Sequence, residues 1–417
     1  MMTVTVDELY PLISSHDLVK YAKLFHKDIV MALSNQPSSL PCILNPIHKL
    51  SPHPGFGVAV SVGGTNGYVS AFRINGKGVL KFLNRKLFFL PEQTTRDSLF
   101  HLITKNILSV AGGKKKSFPI GIGFAYPLKP VLTHHFVDGE LLYMSKGRNI
   151  AGLVGKRVGQ EYHKFLIKEY GIDTIVSVAN DAICLLLGGD GVDIAGVVGT
   201  GLNFAYWEKR SAVAPLKLGE LNRFSQGEVA VNLEAKNFDK IVGTKLREIV
   251  DRKSDDRGYS LAEKEAAGAY LYQIFNAGRD KIVGKNFPEL SSSDQLNEII
   301  TISQYSPGRS NFVTPSRWPN GLLEGESLKS ARLFAERIFH RSAQIVAIEI
   351  CGILMKLKKT KGIVPIVMEG GIFWKAKNYH ALVNMYINTI LPEVIPSFAR
   401  LFGSSRRGIA ILARSSD

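Results

Sequence analysis

Two glycine-rich turns, one in each half of the chain, carry residue types suited to holding an anion. The first is Val60-Ser61-Val62-Gly63-Gly64-Thr65-Asn66-Gly67-Tyr68, and the second is Gly196-Val197-Val198-Gly199-Thr200-Gly201-Leu202-Asn203-Phe204-Ala205-Tyr206. In each, an apolar β run leads into glycines beside Thr and Asn, then into a second β run. Glycine has no Cβ to keep a ligand off the backbone, so N–H groups and a hydroxyl can approach a phosphate. Facing one another across a cleft, two such turns would hold a nucleotide polyphosphate between two lobes.

Asn180-Asp181 stands between the apolar runs 174–178 and 183–187. Both residue types cap helices well, and the pair can serve that purpose alone. At a strand end facing a cleft, the carboxylate would also accept the proton of an alcohol as a phosphoryl group arrives. Ser145-Lys146-Gly147 reads as a surface turn or, within a cleft, as a place where Lys146 donates to a polyhydroxyl ligand. Glu234 and Glu263 would decorate a solvated surface if apart; converging, they would accept hydrogen bonds from vicinal hydroxyls. Met368-Glu369-Gly370-Gly371 closes a strand with bare backbone that a nucleoside could approach.

The elements that must position these groups read as follows. Residues 6–33 have helical apolar spacing, 38–55 form an irregular proline-rich crossing, and 57–90 have a β pattern with an Asn75-Gly76 hairpin. A helix is expected over 94–109, a strand over 119–124, a helix over 155–170 and a strand over 174–178. The second half repeats the scheme, with strands at 194–198, 203–208 and 211–215, helices at 258–278 and 326–357, and a strand at 362–368. A β meander followed by alternating helix and strand, met twice, predicts two related α/β lobes with mixed sheets and the ligand between them.

A chain of 417 residues is too long for one core and implies two domains. No apolar run stands out as a bilayer span, and Cys42, Cys184 and Cys351 are scattered without metal-ligand spacing, so a reducing, cytoplasmic setting is expected. The net charge of +16 would attract anionic ligands. It also admits nucleic acid, but the basic runs at 114–116, 356–361 and 406–407 are short, lack interleaved aromatics and read as solvated loops.

In this order, these motifs resemble the eukaryotic-type hexokinase family of the actin-like sugar kinase superfamily over nearly the whole chain. Gly199-Thr200-Gly201-Leu202-Asn203-Phe204-Ala205-Tyr206 is similar to Gly-Thr-Gly-x-Asn-Ala-Cys-Tyr. Phe124-Ala125-Tyr126-Pro127 resembles Phe-Ser-Phe-Pro, Ser145-Lys146-Gly147 resembles Thr-Lys-Gly, and Asn180-Asp181 matches the Asn-Asp pair with the catalytic base. Glu263-Lys264 with Gly268, Tyr270 and Leu271 fits the Glu-Lys helix motif, Met368 to Gly371 the adenosine turn, and Arg407-Gly408-Ile409-Ala410 the start of the closing helix.

The resemblance implies a two-lobed actin-like (ribonuclease H-like) α/β fold of mixed sheets with flanking helices. A small domain of 55–178 plus 404–417 would close on a large one of 1–54 plus 179–403. It implies ATP-dependent phosphorylation of the 6-hydroxyl of a hexose, glucose with mannose or fructose as alternatives. Mg²⁺ would come with ATP and no protein metal ligand is assigned; neither a membrane nor a nucleic acid is an expected partner. Asp181 would be the base, assisted by Lys146. Ser145, Lys146, Asn180, Asp181, Asn203, Glu234, Glu263, Tyr126 and Pro127 would hold the sugar. Gly63, Gly64, Thr65, Asn66, Gly199, Thr200 and Gly201 would face the phosphates, and Gly370 and Gly371 the adenosine. The chain departs from the family pattern at Ser61 (Asp), Tyr68 (Arg), Ala125 (Ser), Ala182 (Thr), Ala235-Lys236 (Trp-Gly) and Gln273 (Glu). A sugar- or nucleotide-binding regulator with weakened transfer is the alternative.

Overall fold

The computed structural model describes residues 5–46, 52–112, 117–132, 137–144, 148–219, 221, 227–302, 325–400 and 404–415. Two mixed sheets organise them. The smaller has the order Val176–Asn180, Ile120–Phe124, Gly55–Val62, Asn66–Ile74 and Leu80–Phe89. The larger runs Ile43–Asn45, Glu228–Asn232, Leu202–Lys209, Ile194–Val198, Gly362–Glu369 and Val394–Ala399. Each is an antiparallel three-strand meander whose first strand pairs, on its free side, with two successive parallel strands. Strands Ile120–Phe124 and Val176–Asn180, the second at the sheet edge, are buried along their whole length.

Two helices lie between the sheets. Asp181–Gly188 and Ser404–Arg414 pack together, and one apolar cluster joins them to Ala59 and Phe72 of the smaller sheet and to Ala195, Trp207 and Val367 of the larger. They cross so closely that a Cβ at Gly408 would fall 1.6 Å from the Cys184 carbonyl oxygen, so only glycine fits there. The lobe on the larger sheet is centred on the helix Gly325–Lys356, flanked by Ser15–Leu33 and Tyr379–Ile390. This long helix has the length and hydropathy of a bilayer span, against the sequence reading, but 89% of its most apolar stretch is buried inside the fold.

Several elements differ from the sequence pattern, each for a local reason. The first helical stretch is split into Val6–Leu9 and Ser15–Leu33 around Pro11, which disfavours helix in the residue before it. Residues 43–45 of the proline-rich crossing pair as an edge strand. Residues 211–215 are no strand: a 3₁₀ turn at Arg210–Ala212 leads into the short helix Pro215–Leu218, with Pro at its first position, and the meander is completed by Glu228–Asn232. The expected helix over 258–278 is broken into Glu263–Ala266 and Leu271–Ile282. Between them the backbone turns to donate from Gly268 and Ala269 to the carbonyls of Gly199 and Thr200, at 2.7 and 3.1 Å.

The basic runs, where described, are not simply solvated. Lys356 makes a buried ion pair with Glu208 at 2.6 Å, Lys359 pairs with Asp193, and Arg407 reaches Asp190 at 2.5 Å. The 114–116 run lies outside the described residues.

One core group is costly. Glu349, on the long helix, is fully buried, and among the described residues neither carboxylate oxygen has a hydrogen-bond partner. Burial, with the Glu263 charge adding to it, pushes its carboxyl well above the ordinary 4.5. A raised native value means that unfolding releases the proton once pH exceeds 4.5. The penalty is therefore absent below that pH and grows as pH rises towards the native value. Glu349→Leu is expected to stabilise the protein by about 1–3 kcal/mol at pH 7. Urea midpoints should show the gain shrinking towards pH 4; a gain independent of pH would mean that Glu349 does not carry the buried proton.

Candidate functional site

Strand Val176–Asn180 delivers Asn180 to the mouth of the cleft and ends there because Asn180 caps the helix Asp181–Gly188. Its side-chain oxygen accepts from the Ala182 N–H at 3.0 Å. The capping reading and the site reading therefore hold together: Asn180 closes the helix end and Asp181, half-buried, is presented at its first position. The partial positive charge of that helix end favours an ionised carboxylate. Asp181 also takes the Ala182 N–H at 2.8 Å on Oδ1.

A chain of amides and carboxylates runs outward from this point. Asn203 donates to Asn180 at 3.5 Å and to Asn232 at 2.8 Å, and Asn232 donates to Glu234 at 2.9 Å. Glu234 has a left-handed backbone, φ 50 and ψ 50, rare for a residue with a Cβ and costing on the order of 1–3 kcal/mol. Glu263, fully buried, accepts the Leu202 N–H at 3.0 Å. Ala125, Pro127, Asn180, Asp181, Asn203, Glu234, Lys236 and Glu263 line one cavity of about 20 Å³. The structure thus gathers Asn180, Asp181, Asn203, Glu234, Glu263 and Pro127 from the sequence-derived set. Tyr126 is not among them: its fully buried ring packs on Phe124, 5.2 Å between centroids, and only its carbonyl turns towards Asn180, at 3.4 Å. Ser145, Lys146 and Gly147 lie outside the described residues.

The two glycine turns meet across the cleft. Thr65 Oγ1 and Thr200 Oγ1 are 3.4 Å apart. Gly63 donates to the Asn66 carbonyl and Gly199 to that of Gly201, both at 3.0 Å, which folds each turn back on itself. The Gly370 turn packs against the second: Gly370 has φ 117, and a Cβ there would meet the Val198 carbonyl oxygen at 2.1 Å. Gly371 opens the short helix Gly371–Lys375 with open space where its Cβ would point. Bare backbone therefore borders the contact of Thr65 with Thr200 on the side of Gly370 and Gly371, where a nucleotide could approach the main chain. Thr65 and Thr200 are hard oxygen donors of the kind that accompanies Mg²⁺ when most of its ligands are phosphates and water. Among the described residues, no three His, Cys, Asp or Glu side chains converge as a metal site.

Two departures from the family pattern are partners. Ser61 and Tyr68 stand directly opposite in adjacent strands, and the Ser61 hydroxyl acts on the Tyr68 phenol. The positions that carry Asp and Arg in the family thus lose both charges together. Tyr68 also bonds Ser405 at 2.7 Å and lies beneath the guanidinium groups of Arg85 and Arg406, 5.2 and 5.7 Å from its centroid. Burial first, then the charge of Glu369, pushes its phenol up. Ser61→Asp alone would add a carboxylate opposite a phenol that already feels Glu369, with Arg85 and Arg406 stacked on the ring and no cation at position 68 itself. A double-mutant cycle on Ser61→Asp and Tyr68→Arg is expected to show about 1–3 kcal/mol of favourable coupling in urea unfolding; additive effects would mean the two positions act independently.

Three residues of the site escaped sequence reasoning. Asn232 is signalled only by its place two residues before Glu234 on an alternating strand. Arg148 donates to the Gly64 carbonyl at 2.9 Å and the Leu90 carbonyl at 3.2 Å, bringing a cation to the first glycine turn. Lys236 is the least expected. Its side chain is 3% exposed, its Nζ lies 3.5 Å from Glu234 Oε2 and 5.0 Å from the centroid of Tyr143. Burial works against its charge, but Glu234 and Glu263 outweigh it and hold the ammonium above the ordinary lysine range.

Two sheets of like topology, two inter-sheet helices and facing glycine turns define a two-lobed sugar kinase fold. Residues 11–190 and 193–414 match the two family models described as Hexokinase, and the chain belongs to the hexokinase family. It is 27% identical over 396 residues to hexokinase-2 of Solanum tuberosum, covering 86% of this chain and 79% of that protein. With human hexokinase-2 it shares 23% over 439 residues, 96% of this chain and 46% of that one. Among solved structures, the hexokinase of Schistosoma mansoni complexed with glucose superposes with a TM-score of 0.82 at 20% identity, covering 98% of both chains. A ROK family glucokinase from Streptomyces griseus, in complex with glucose and AMPPNP, has a TM-score of 0.53 at 15% identity, covering 86% of this chain and 99% of that one.

Proposed function

We propose that this protein transfers the γ-phosphoryl group of ATP to the 6-hydroxyl of a hexose such as glucose. The observation that carries the reading is the placing of Asp181 in the same cavity as Asn180, Asn203, Glu234 and Glu263, beside the facing turns of Thr65 and Thr200. The amides and carboxylates would accept and donate to the ring hydroxyls, fixing the hexose with one hydroxyl towards Asp181. Asp181 takes that proton as the sugar oxygen bonds to the γ-phosphorus and the bond to the β-phosphate oxygen breaks, releasing ADP. Mg²⁺ bound to the phosphates supplies neutralising charge. Closure of the lobe of residues 55–178 and 404–417 onto the rest would keep water from the γ-phosphorus. Family membership and the glucose and AMPPNP complexes of the structural relatives support this reading. A cytoplasmic setting belongs to the proposal, since Cys42, Cys184 and Cys351 are buried free thiols.

The test is ADP release in Mg²⁺ and ATP with glucose, mannose and fructose, beside calorimetric titration of each sugar. Sugar-dependent ADP release supports the kinase. Sugar binding without turnover would instead make the protein a regulator, and an absence of both would end the reading.

A further inference from the structure

The second sugar-facing carboxylate of the proposed hexose site already has a partner from its own chain. Glu234 and Lys236 are two residues apart across the 3₁₀ turn Ala235–Asn237, and the left-handed backbone of Glu234 brings both side chains into the same cavity. Glu263 also acts electrostatically on this ammonium. A buried carboxylate needs a cation or several donated hydrogen bonds. A lysine ammonium supplies three N–H donors, and a polyol supplies O–H donors to the same oxygens. The two therefore compete for one set of acceptors. With the lysine in place the cavity has about 20 Å³ of space open to water, room for about one water beside the ammonium.

The ammonium has somewhere to go. Tyr143, whose ring it faces, also lines an adjoining cavity of about 660 Å³ whose wall carries Asn237, Asp239 and Asp256. A flexible four-carbon stem allows that movement more readily than a forked guanidinium would. Charge also restricts the ligand class. Asp181, Glu234 and Glu263 against one ammonium leave the cavity negative, which disfavours an anionic acceptor and suits a neutral polyol.

Resting on the hexose-binding reading above, we propose that Lys236 is a built-in occupant of the acceptor site, setting hexose affinity by competing with the sugar hydroxyls for Glu234. Apparent affinity is lowered by the fraction of molecules whose site is open, so a lysine seated about nine-tenths of the time weakens binding about tenfold. Lys236→Met is accordingly expected to bind D-glucose about tenfold more tightly by calorimetry without nucleotide. The variant should also melt lower when free and gain more from glucose than the wild type does. Unchanged or weaker glucose binding by folded variant would overturn the proposal while leaving the hexose reading intact; no hexose binding by either protein would remove both.

Labelling of the wild type keeps the proposal testable if the variant does not fold. Displacement predicts that saturating glucose speeds acetylation of Lys236 by acetic anhydride, read by mass spectrometry. Slower acetylation would make the lysine a ligand of the sugar and overturn the proposal.

Discussion

Asp181→Asn should lower turnover by about 10²–10⁴-fold while leaving hexose affinity within a few-fold of wild type. The asymmetry follows from what the side chain does in the free protein. Its Oδ1 accepts the Ala182 N–H at 2.8 Å, and a carboxamide oxygen can accept the same bond. The helix end, the Asn180 cap and the Asn203–Asn232–Glu234 chain should therefore keep their positions, so the groups that recognise the sugar are undisturbed. What disappears is the capacity to take a proton from the attacking hydroxyl. Steady-state kcat with calorimetric glucose titration separates the two effects. A kcat near wild type would remove Asp181 from its role, whereas a matched loss of kcat and affinity would make it a structural residue.

The largest stability effect is expected from Arg341→Met, a loss of about 3–5 kcal/mol in urea unfolding. Arg341 is 3% exposed and grips Glu265 with two nitrogens at 3.0 and 3.1 Å. It also donates to the carbonyls of Pro11 and Val242, so one guanidinium ties the N-terminal segment, the loop before Lys245 and the long central helix together. Burial disfavours its charge and Glu265 more than offsets that. Without it, Glu265 keeps Thr244 at 2.8 Å and a distant Arg247 at 3.8 Å, too little for a carboxylate so deeply buried. Arg341→Lys should recover only part of the loss, because an ammonium cannot reproduce the fork. Removing both charges, in Arg341→Met with Glu265→Leu, should cost less than Arg341→Met alone.

These two residues mark what could and could not be read from the chain. Asp181 was legible because two glycine turns of like composition implied a cleft and the family resemblance set the Asn-Asp pair in it; the pair alone reads equally well as a helix cap. The first meander followed from its apolar alternation, whereas the third strand of the second was expected at 211–215 and lies at Glu228–Asn232. The charged triplet Glu263-Lys264-Glu265 was opaque: its residue types suit an exposed helix, yet all three are fully buried, Lys264 held by Asp251 and Asp256 in the segment just before it, Glu263 and Glu265 by the distant Leu202 and Arg341. Local propensity carries no trace of partners 60 to 80 residues away. Lys236 was visible only as a departure from the Trp-Gly of the family; that its ammonium turns inward depends on the left-handed backbone of Glu234, which side-chain chemistry alone does not foretell.

The placing of the helix Ser404–Arg414 has a consequence for synthesis. The strands it covers are complete at residue 180, about 220 residues before the helix leaves the ribosome. At roughly 5–20 residues per second, one face of the smaller sheet stays uncovered for roughly 10–40 s on every translating ribosome. Ala59, Phe72, Ala179 and their neighbours are thus a natural landing site for chaperones during translation, and slow codons after residue 180 would lengthen the exposure.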